Sequence, residues 1–176
     1  MAAARLSSEL RSGTRDDHAA VDAAFSRFDL ARRGGYGAFL SAQARVLPGL
    51  EAMLDPAGLI PGWTGRTDAL RQDLAALRLP VRPAIEIALP TAAGARWGAI
   101  YVLEGSRLGG VVLARQIPKG LPSAFLHSAH PSGAWRHFLM ALDEANPSRE
   151  SHAFALQAAK AVFAAFALAA EPAVTA

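Results

Sequence analysis

Apolar residues recur every three to four positions along most of the chain, which is the period of an amphipathic helix. Near the N-terminus this repeat predicts one helix over Leu6–Phe28. A second repeat covers 39–54, with Pro48 placed to kink or divide it. A third predicts a helix over Thr67–Leu79, and Thr67 is expected to be its N-cap.

The remaining elements follow the same period. The first two helices are separated by a predicted break at 33–35. A long helix is expected over about 91–116, another from a Ser132 cap to about Ala145, and a last one that opens at 146–148 and reaches about Ala170. The pattern predicts roughly six or seven helices, and the short run 85–89 is the one competing strand. We expect an all-α single domain over 1–176, with 172–176 as a short tail.

Composition narrows the classes of protein that this pattern can represent. The chain has 176 residues, of which 52% are hydrophobic, enough for one core. The absence of cysteine excludes disulfides, CxxC zinc sites and a thiolate ligand or nucleophile. The net charge of +3 comes mostly from arginines spread singly along the chain, a distribution that does not favour nucleic-acid binding.

The sequence also bears on location. The N-terminal residues lack the apolar core of a signal peptide, and the most apolar stretch elsewhere, Ala161–Ala170, is shorter than a membrane span. We therefore expect a soluble, cytoplasmic protein with no membrane partner.

One segment combines an imidazole with charged side chains. At 100° per residue, Arg11, Arg15 and Asp22 lie about 20°, 60° and 40° round a helix from His18, so the four share one face. Such a face suits a flat, dianionic ligand that contains a metal, with nitrogen on the metal and guanidinium groups on the carboxylates. A histidine on an apolar face is more often a core residue than a ligand, and arginines at helical spacing usually form a solvated face, so this segment alone decides nothing.

The long helix over 91–116 contains an unusual set of glycines. Gly98, Gly105 and Gly109 fall within about 20° of one line along it. Each glycine costs about 1 kcal/mol against alanine in a helix interior, so the line needs a reason. Two explanations are open: close packing against another helix, or a backbone that lies directly over a planar ligand.

These two segments together carry a resemblance. The order LRSGTRDDHAAVD followed by GAIYVLEGSRLGG resembles the haem oxygenase family, especially the bacterial biliverdin-producing enzymes associated with bacteriophytochromes. The resemblance covers most of the chain. It implies a haem oxygenase-like multi-helical bundle that holds haem between a proximal helix and a kinked distal helix.

The resemblance also implies roles for residues of the first segment. His18 corresponds to the proximal ligand of the haem iron, and therefore to the metal ligand. Arg11 and Arg15 correspond to basic residues near the haem propionates. Asp22 corresponds to an acidic partner of the histidine.

Further roles fall on the second segment and on the C-terminal third. Gly105 and Gly109 correspond to the catalytic distal glycines whose backbone covers the iron. Ser106 stands where animal members carry an aspartate that organises water, so Ser106 and ordered water become the candidates for proton delivery, with Arg107 directed elsewhere. The resemblance extends to two more positions, with Arg136 near the propionates and Phe163 in the pocket wall, although both positions suit a core or surface residue equally well. Tyr101 lies roughly 60° from the glycine line on the same helix and is expected at the pocket edge.

The implied activity is reductive, O2-dependent cleavage of haem to biliverdin, carbon monoxide and iron, with haem as both substrate and cofactor. Electrons must come from an external donor, a ferredoxin or a flavoprotein reductase, because the chain carries no flavin, nicotinamide or iron–sulfur motif. A bacteriophytochrome is the implied receiver of biliverdin.

Other readings make different predictions. A haem carrier or sensor on the same fold would bind haem through His18 without turnover. An interaction protein without a ligand would bind no haem. A di-iron carboxylate site is disfavoured because no glutamate has a histidine three residues later. A zinc site is disfavoured because His127, His130 and His137 lie in an expected surface loop.

Overall fold

The computed structural model describes residues 5–92, 94–146 and 148–172, and the regular structure in these ranges is helical. The α-helices are α1 (Leu6–Gly13), α2 (Arg15–Phe25), α3 (Arg33–Ala44), α4 (Leu47–Leu54), α5 (Thr67–Ala76), α6 (Ala95–Ala114), α7 (Ala124–His127), α8 (Ala134–Ala145) and α9 (Arg149–Ala169). A single 3-10 turn covers Pro56–Gly58. This architecture confirms the predicted all-α class. The last four residues of the predicted tail and Pro147 lie outside the described residues.

The predicted first helix is two helices, which corrects the sequence interpretation. Thr14 separates α1 from α2, with φ −114° and ψ 12°. Its buried hydroxyl donates to the carbonyl of Leu10 at 2.7 Å, a local bond by which threonine competes with regular helix geometry. The angle predicted between Arg11 and His18 assumed one continuous helix and does not hold across this break.

Two predicted helix caps are wrong. The carboxylate of Glu51 accepts from the backbone N–H groups of Arg66 and Thr67 at 2.8 and 3.0 Å, so a distant side chain caps α5. Gly133, with φ 79°, precedes α8 where Ser132 was expected to be the cap. At the start of α9 the Ser148 hydroxyl accepts from the N–H of Ser151 at 3.1 Å.

Two other predicted boundaries differ. The glycines near 33–35 do not form a break but begin α3 at Arg33, and the turn lies just before them. Pro48 follows the start of α4 at Leu47, so the second repeat is divided into two helices. The competing strand at 85–89 has no regular secondary structure in the described residues, and the N–H of Ile85 donates to the carbonyl of Arg45 at 2.8 Å.

The core lies where α6 packs against α9. Gly98 is buried in this contact, and a Cβ added there would overlap the backbone carbonyl of Ala155. Gly94, just before α6, is equally close to the carbonyl of Ser151. The first explanation for the glycine line, close helix packing, is therefore correct at Gly98. α6 continues without interruption past its other glycines to Ala114.

α9 is longer than its most apolar stretch suggested. It has 21 residues and a window of mean hydropathy 1.4, so length and composition alone would allow it to cross a membrane. Half of that window is buried inside the fold. A buried, apolar helix is what the centre of a helical domain requires, and α9 contacts α1, α2, α3 and α6.

Candidate functional site

A cavity of about 750 Å³ lies among the helices, and its size falls in the range typical of small-molecule and cofactor sites. Residues from α1, α2, α3, α6, α7, α8 and α9 line it. Aromatic rings form much of the wall, namely Phe25, Phe39, Tyr101, Phe125, Trp135, Phe163 and Phe166. The helices that meet here are also those that build the core, so the wall is held by the fold itself.

His18 lines this cavity from α2. Its Nδ1 lies 3.0 Å from Oδ2 of Asp22, one turn later on the same helix. The ring also meets Phe163 of α9 edge-on, with 5.7 Å between centroids. A carboxylate beside Nδ1 keeps the proton on that nitrogen and leaves the lone pair on Nε2, the arrangement that suits a metal-ligating imidazole.

α6 presents bare backbone to the same cavity. Gly105 and Gly109 both line it. A Cβ at Gly109 would meet nothing within 4 Å, and one at Gly105 would meet only the Trp135 ring at 3.7 Å. Neighbouring helices therefore do not explain these two glycines. The glycine line thus serves two purposes, close packing at Gly98 and an open wall at the other two positions.

Two cations lie at the cavity from α1 and α2. Arg11 and Arg15 both line it and are exposed to solvent. Tyr101 of α6 lies beside them, half-buried against the Trp135 ring at 5.6 Å between centroids. Burial raises the pKa of the Tyr101 hydroxyl, and the nearby charge of Arg11 partly opposes this rise.

Comparisons with known proteins bear on the family of this chain. The chain matches no protein-family model. It is 38% identical over 144 residues to a heme oxygenase from Xanthomonas campestris pv. campestris (strain 8004), a match that covers 74% of this chain and 86% of that protein. The chain belongs to the haem oxygenase family.

Two solved haem oxygenases have a similar fold. The enzyme from Neisseria meningitidis, crystallised with NO and CO, superposes with a TM-score of 0.79 at 25% identity, over 96% of this chain and 91% of that one. The enzyme from Leptospira interrogans superposes with a TM-score of 0.73 at 19% identity, over 95% of this chain and 98% of that one. The second likeness shows the haem oxygenase fold alone.

The described residues fit the haem of this family. The cavity offers an imidazole whose Nδ1 is already held by Asp22, with guanidinium groups at Arg11 and Arg15 for carboxylates. It also offers a helix face without Cβ atoms at Gly105 and Gly109. Nitrogen ligand, cations and a flat backbone wall are the three features that a metalloporphyrin with two propionates requires.

Ser106 lines the cavity of this haem oxygenase, and its hydroxyl has one bond donated, one bond accepted and one lone pair left. Its Oγ donates to the carbonyl of Leu103 at 2.7 Å and accepts from Nη2 of Arg66 at 2.7 Å. Arg107 is also among the residues that line the cavity. Its guanidinium is directed to the Glu104 carboxylate and to the carbonyls of Thr64 and Ser128, as expected for a side chain that does not serve the glycine face.

Sequence analysis missed Arg66, a buried residue just before α5. Only 4% of it is exposed, its guanidinium lies 5.2 Å from the centroid of the Phe125 ring, and Nε has no partner among the described residues. Burial and the charge of Arg107 lower the pKa of Arg66 to about 10, and Glu51 and Glu104 oppose them. No local signal marks this arginine, because its contacts with α6 come from about 40 residues away.

Arg136 is the predicted site residue that the structure does not bring to the cavity. It is exposed on α8 and is not among the described residues that line the wall. The expected surface loop of histidines is also wrong. His127 is exposed on α7 and His137 is exposed on α8, whereas His130, which does lie in a loop, is half-buried against Glu104.

Proposed function

We propose that this protein cleaves haem to biliverdin, carbon monoxide and iron in a reaction that consumes O2 and reducing equivalents. One observation carries the proposal: the His18–Asp22 pair of α2 and the bare glycine backbone of α6 line the same 750 Å³ cavity in a chain of the haem oxygenase family. A haem carrier would have equal use for the histidine. A carrier, however, does not need space for O2 next to the bound haem, and therefore does not need a helix face without side chains there.

The first task of the protein is to bind and orient its substrate. His18 would bind iron through Nε2, while Asp22 holds the ring in one orientation through Nδ1. Arg11 and Arg15 would receive the propionates at the open side of the cavity and limit rotation of the macrocycle in its plane. Phe163, edge-on to His18, restricts the tilt of the imidazole.

The second task is to control the space beside the iron. Bound haem supplies the redox chemistry with O2, and a neutral imidazole lacks the strong electron donation of a thiolate. Gly105 and Gly109 leave the α6 side of the cavity open to a small molecule, and the α6 backbone limits the orientations that this molecule can take. Ser106, fixed by Arg66 and Leu103, is the polar group of the glycine segment on which a proton-carrying water can be placed.

The proposal includes partners that the cavity does not itself contain. Electrons would come from a ferredoxin or flavoprotein reductase, supported by the net charge of +3 and the exposed cations at the cavity. The resemblance to the bacteriophytochrome-associated type supports transfer of biliverdin to a bacteriophytochrome. The protein would act in the cytoplasm as a single soluble domain.

The test is absorption spectroscopy of the purified protein with hemin. We expect a one-to-one complex with a Soret band that decays to a bilin under air when ascorbate or a ferredoxin system supplies electrons. A stable Soret band without bilin would identify a carrier or sensor instead. Absence of any complex would return His18 to a structural role and reject both functions.

A further inference from the structure

Glu104 is a buried carboxylate beside the cavity that the proposed reaction does not use. Only 3% of it is exposed. Its Oε1 accepts from Nε1 of Trp63 at 2.8 Å and from Nε of Arg107 at 3.1 Å. Its Oε2 lies 3.4 Å from Nδ1 of His130, whose Nε2 lies 3.0 Å from the Glu104 carbonyl oxygen. A buried carboxylate with this many donors is held in one conformation.

Arg107 extends this cluster to two loops. It is 5% exposed and lies over the Trp63 ring at 5.5 Å from the centroid. Its guanidinium donates to the carbonyl of Thr64 on one loop and to that of Ser128 on the other, the latter at 3.3 Å. Both loops are thereby tied to the helix that carries Gly105.

Buried positive charges beside the cavity outnumber the carboxylates that contact their guanidinium groups. Arg66 and Arg107 are both buried, line the same wall and repel each other. Among the described residues, Glu104 is the carboxylate in contact with Arg107, whereas Glu51 contacts the backbone N–H of Arg66. Removal of the Glu104 charge would leave two guanidinium groups with little compensation in a poorly solvated wall.

We propose that Glu104 is a positioning residue that fixes Arg107 and sets the positive potential on the glycine side of the haem cavity. This inference rests on the proposed function, because the potential matters only where haem and a small ligand are bound. Through Arg107, Glu104 would thereby set the affinity of the haem complex for anionic ligands.

The first test uses the protein without haem. We expect the Trp63 indole N–H to give a downfield, slowly exchanging NMR signal, assigned by its loss in Trp63→Phe. In Glu104→Gln the amide oxygen still accepts this bond but the charge is gone, so the signal should move upfield while the fold is kept. Exposed Glu144→Gln is the control and should leave it in place. An unmoved signal in Glu104→Gln would overturn the contact on which the inference depends.

The second test compares an anionic with a neutral ligand of the haem complex. We expect Glu104→Gln to bind azide on the order of fivefold more tightly, the size expected for loss of one partly screened charge. Carbon monoxide, which is neutral, should change less than about twofold on the same scale. Arg107→Met in the Glu104→Gln background removes the unpaired cation and should return azide affinity towards the wild-type value.

The outcomes separate this inference from the proposed function. Failure of the wild type to bind hemin would reject the proposed function, while the indole signal would still report the Glu104 contact. Equal changes in azide and carbon monoxide affinity, or none, would show that Glu104 acts only on the shape of the wall and would overturn the inference. If Glu104→Gln does not fold, Trp63→Phe provides the comparison: it keeps every charge, so azide affinity must stay within about twofold of wild type.

Discussion

The Nδ1 atom of His18 lies 3.0 Å from Oδ2 of Asp22, within one turn of α2. Both side chains are largely exposed, at 63% and 69%, so the contact adds little to the stability of the fold. Its effect falls instead on the imidazole. The carboxylate selects the tautomer and holds the ring in one orientation, which leaves Nε2 free to bind a metal.

Replacement of Asp22 tests this effect. We expect Asp22→Asn to weaken hemin binding roughly 10- to 100-fold, the usual range for loss of such a partner, and to raise the reduction potential of bound haem. A hemin titration and spectroelectrochemistry measure the two quantities. Asp16→Asn is the matched control, because Asp16 is exposed on the same helix and does not line the cavity. Equal potentials in the two variants would contradict the assigned role.

Replacement of His18 tests the ligand directly. We expect His18→Ala to lose the Soret spectrum of the wild-type complex and to form no bilin, with an unchanged melting temperature of the haem-free protein. The fold should tolerate the change because the ring is mostly exposed. His127→Ala removes another exposed histidine, on α7, and should keep the normal spectrum. A wild-type spectrum in His18→Ala would move the ligand to another residue.

Part of this site could be predicted from sequence because its residues are close together in the chain. His18 and Asp22 are four positions apart, and Gly105 and Gly109 likewise, so helix periodicity alone places each pair on one face. The all-α class followed from the same local signal. The break at Thr14 was missed because threonine occurs in helices as well as between them, and only the buried bond to Leu10 shows which applies.

The wall behind the glycines could not be predicted in this way. Arg66 reaches Ser106 across 40 residues, and Trp63 reaches Glu104 across 41. Such contacts depend on how helices are arranged in space, and no periodicity in the sequence encodes that arrangement. Similarly, only the packed structure separates Gly98, which contacts α9, from Gly109, which faces open space.

The two classes of glycine predict opposite effects of the same substitution. Gly109→Ala should leave the haem-free protein as stable or up to about 1 kcal/mol more stable, because alanine favours the helix and the added methyl meets no atom. The methyl would extend into the cavity, so hemin affinity and bilin yield should fall. Gly98→Ala should destabilise the haem-free protein by roughly 2 kcal/mol or more, because Cβ overlaps the Ala155 carbonyl.

Urea unfolding and hemin titration of both variants provide the measurements. Gly34→Ala is the control for helix propensity, since Gly34 is exposed in α3 and its Cβ would also meet no atom. If Gly109→Ala and Gly34→Ala bind hemin equally well, the backbone at Gly109 does not contact the substrate.

The raised pKa of the buried Tyr36 hydroxyl predicts a loss of folding stability at alkaline pH. Burial, together with the charge of Asp73 and a 3.3 Å hydrogen bond to it, raises the pKa of the Tyr36 hydroxyl in the folded protein above the value of 10.0 in the unfolded chain. Below pH 10 the tyrosine is protonated in both states and its contribution is complete. Above pH 10 the unfolded chain releases the proton and the folded protein retains it, so stability falls by about 1.4 kcal/mol per pH unit.

The comparison that isolates this group is Tyr36→Phe. At pH 7 the variant should lose about 1 kcal/mol, because Asp73 keeps its bonds from the N–H groups of Ala124 and Phe125. Between pH 9 and 11, urea midpoints of wild type should fall more steeply than those of the variant. Parallel curves would show that Tyr36 ionises in the folded state as readily as in the unfolded chain.

The cations at the cavity predict a dependence on the carboxylates of the substrate. Arg11→Gln with Arg15→Gln should weaken hemin binding roughly 10-fold, a modest value because both guanidinium groups are exposed to solvent. The dimethyl ester of haem has no carboxylate charge, so the wild-type protein should bind the ester more weakly than it binds haem. For the ester, the affinities of the double variant and the wild type should be equal. Arg71→Gln with Arg149→Gln removes the same charge from exposed positions that do not line the cavity. If this control weakens hemin binding equally, net charge rather than contact with propionates attracts the substrate.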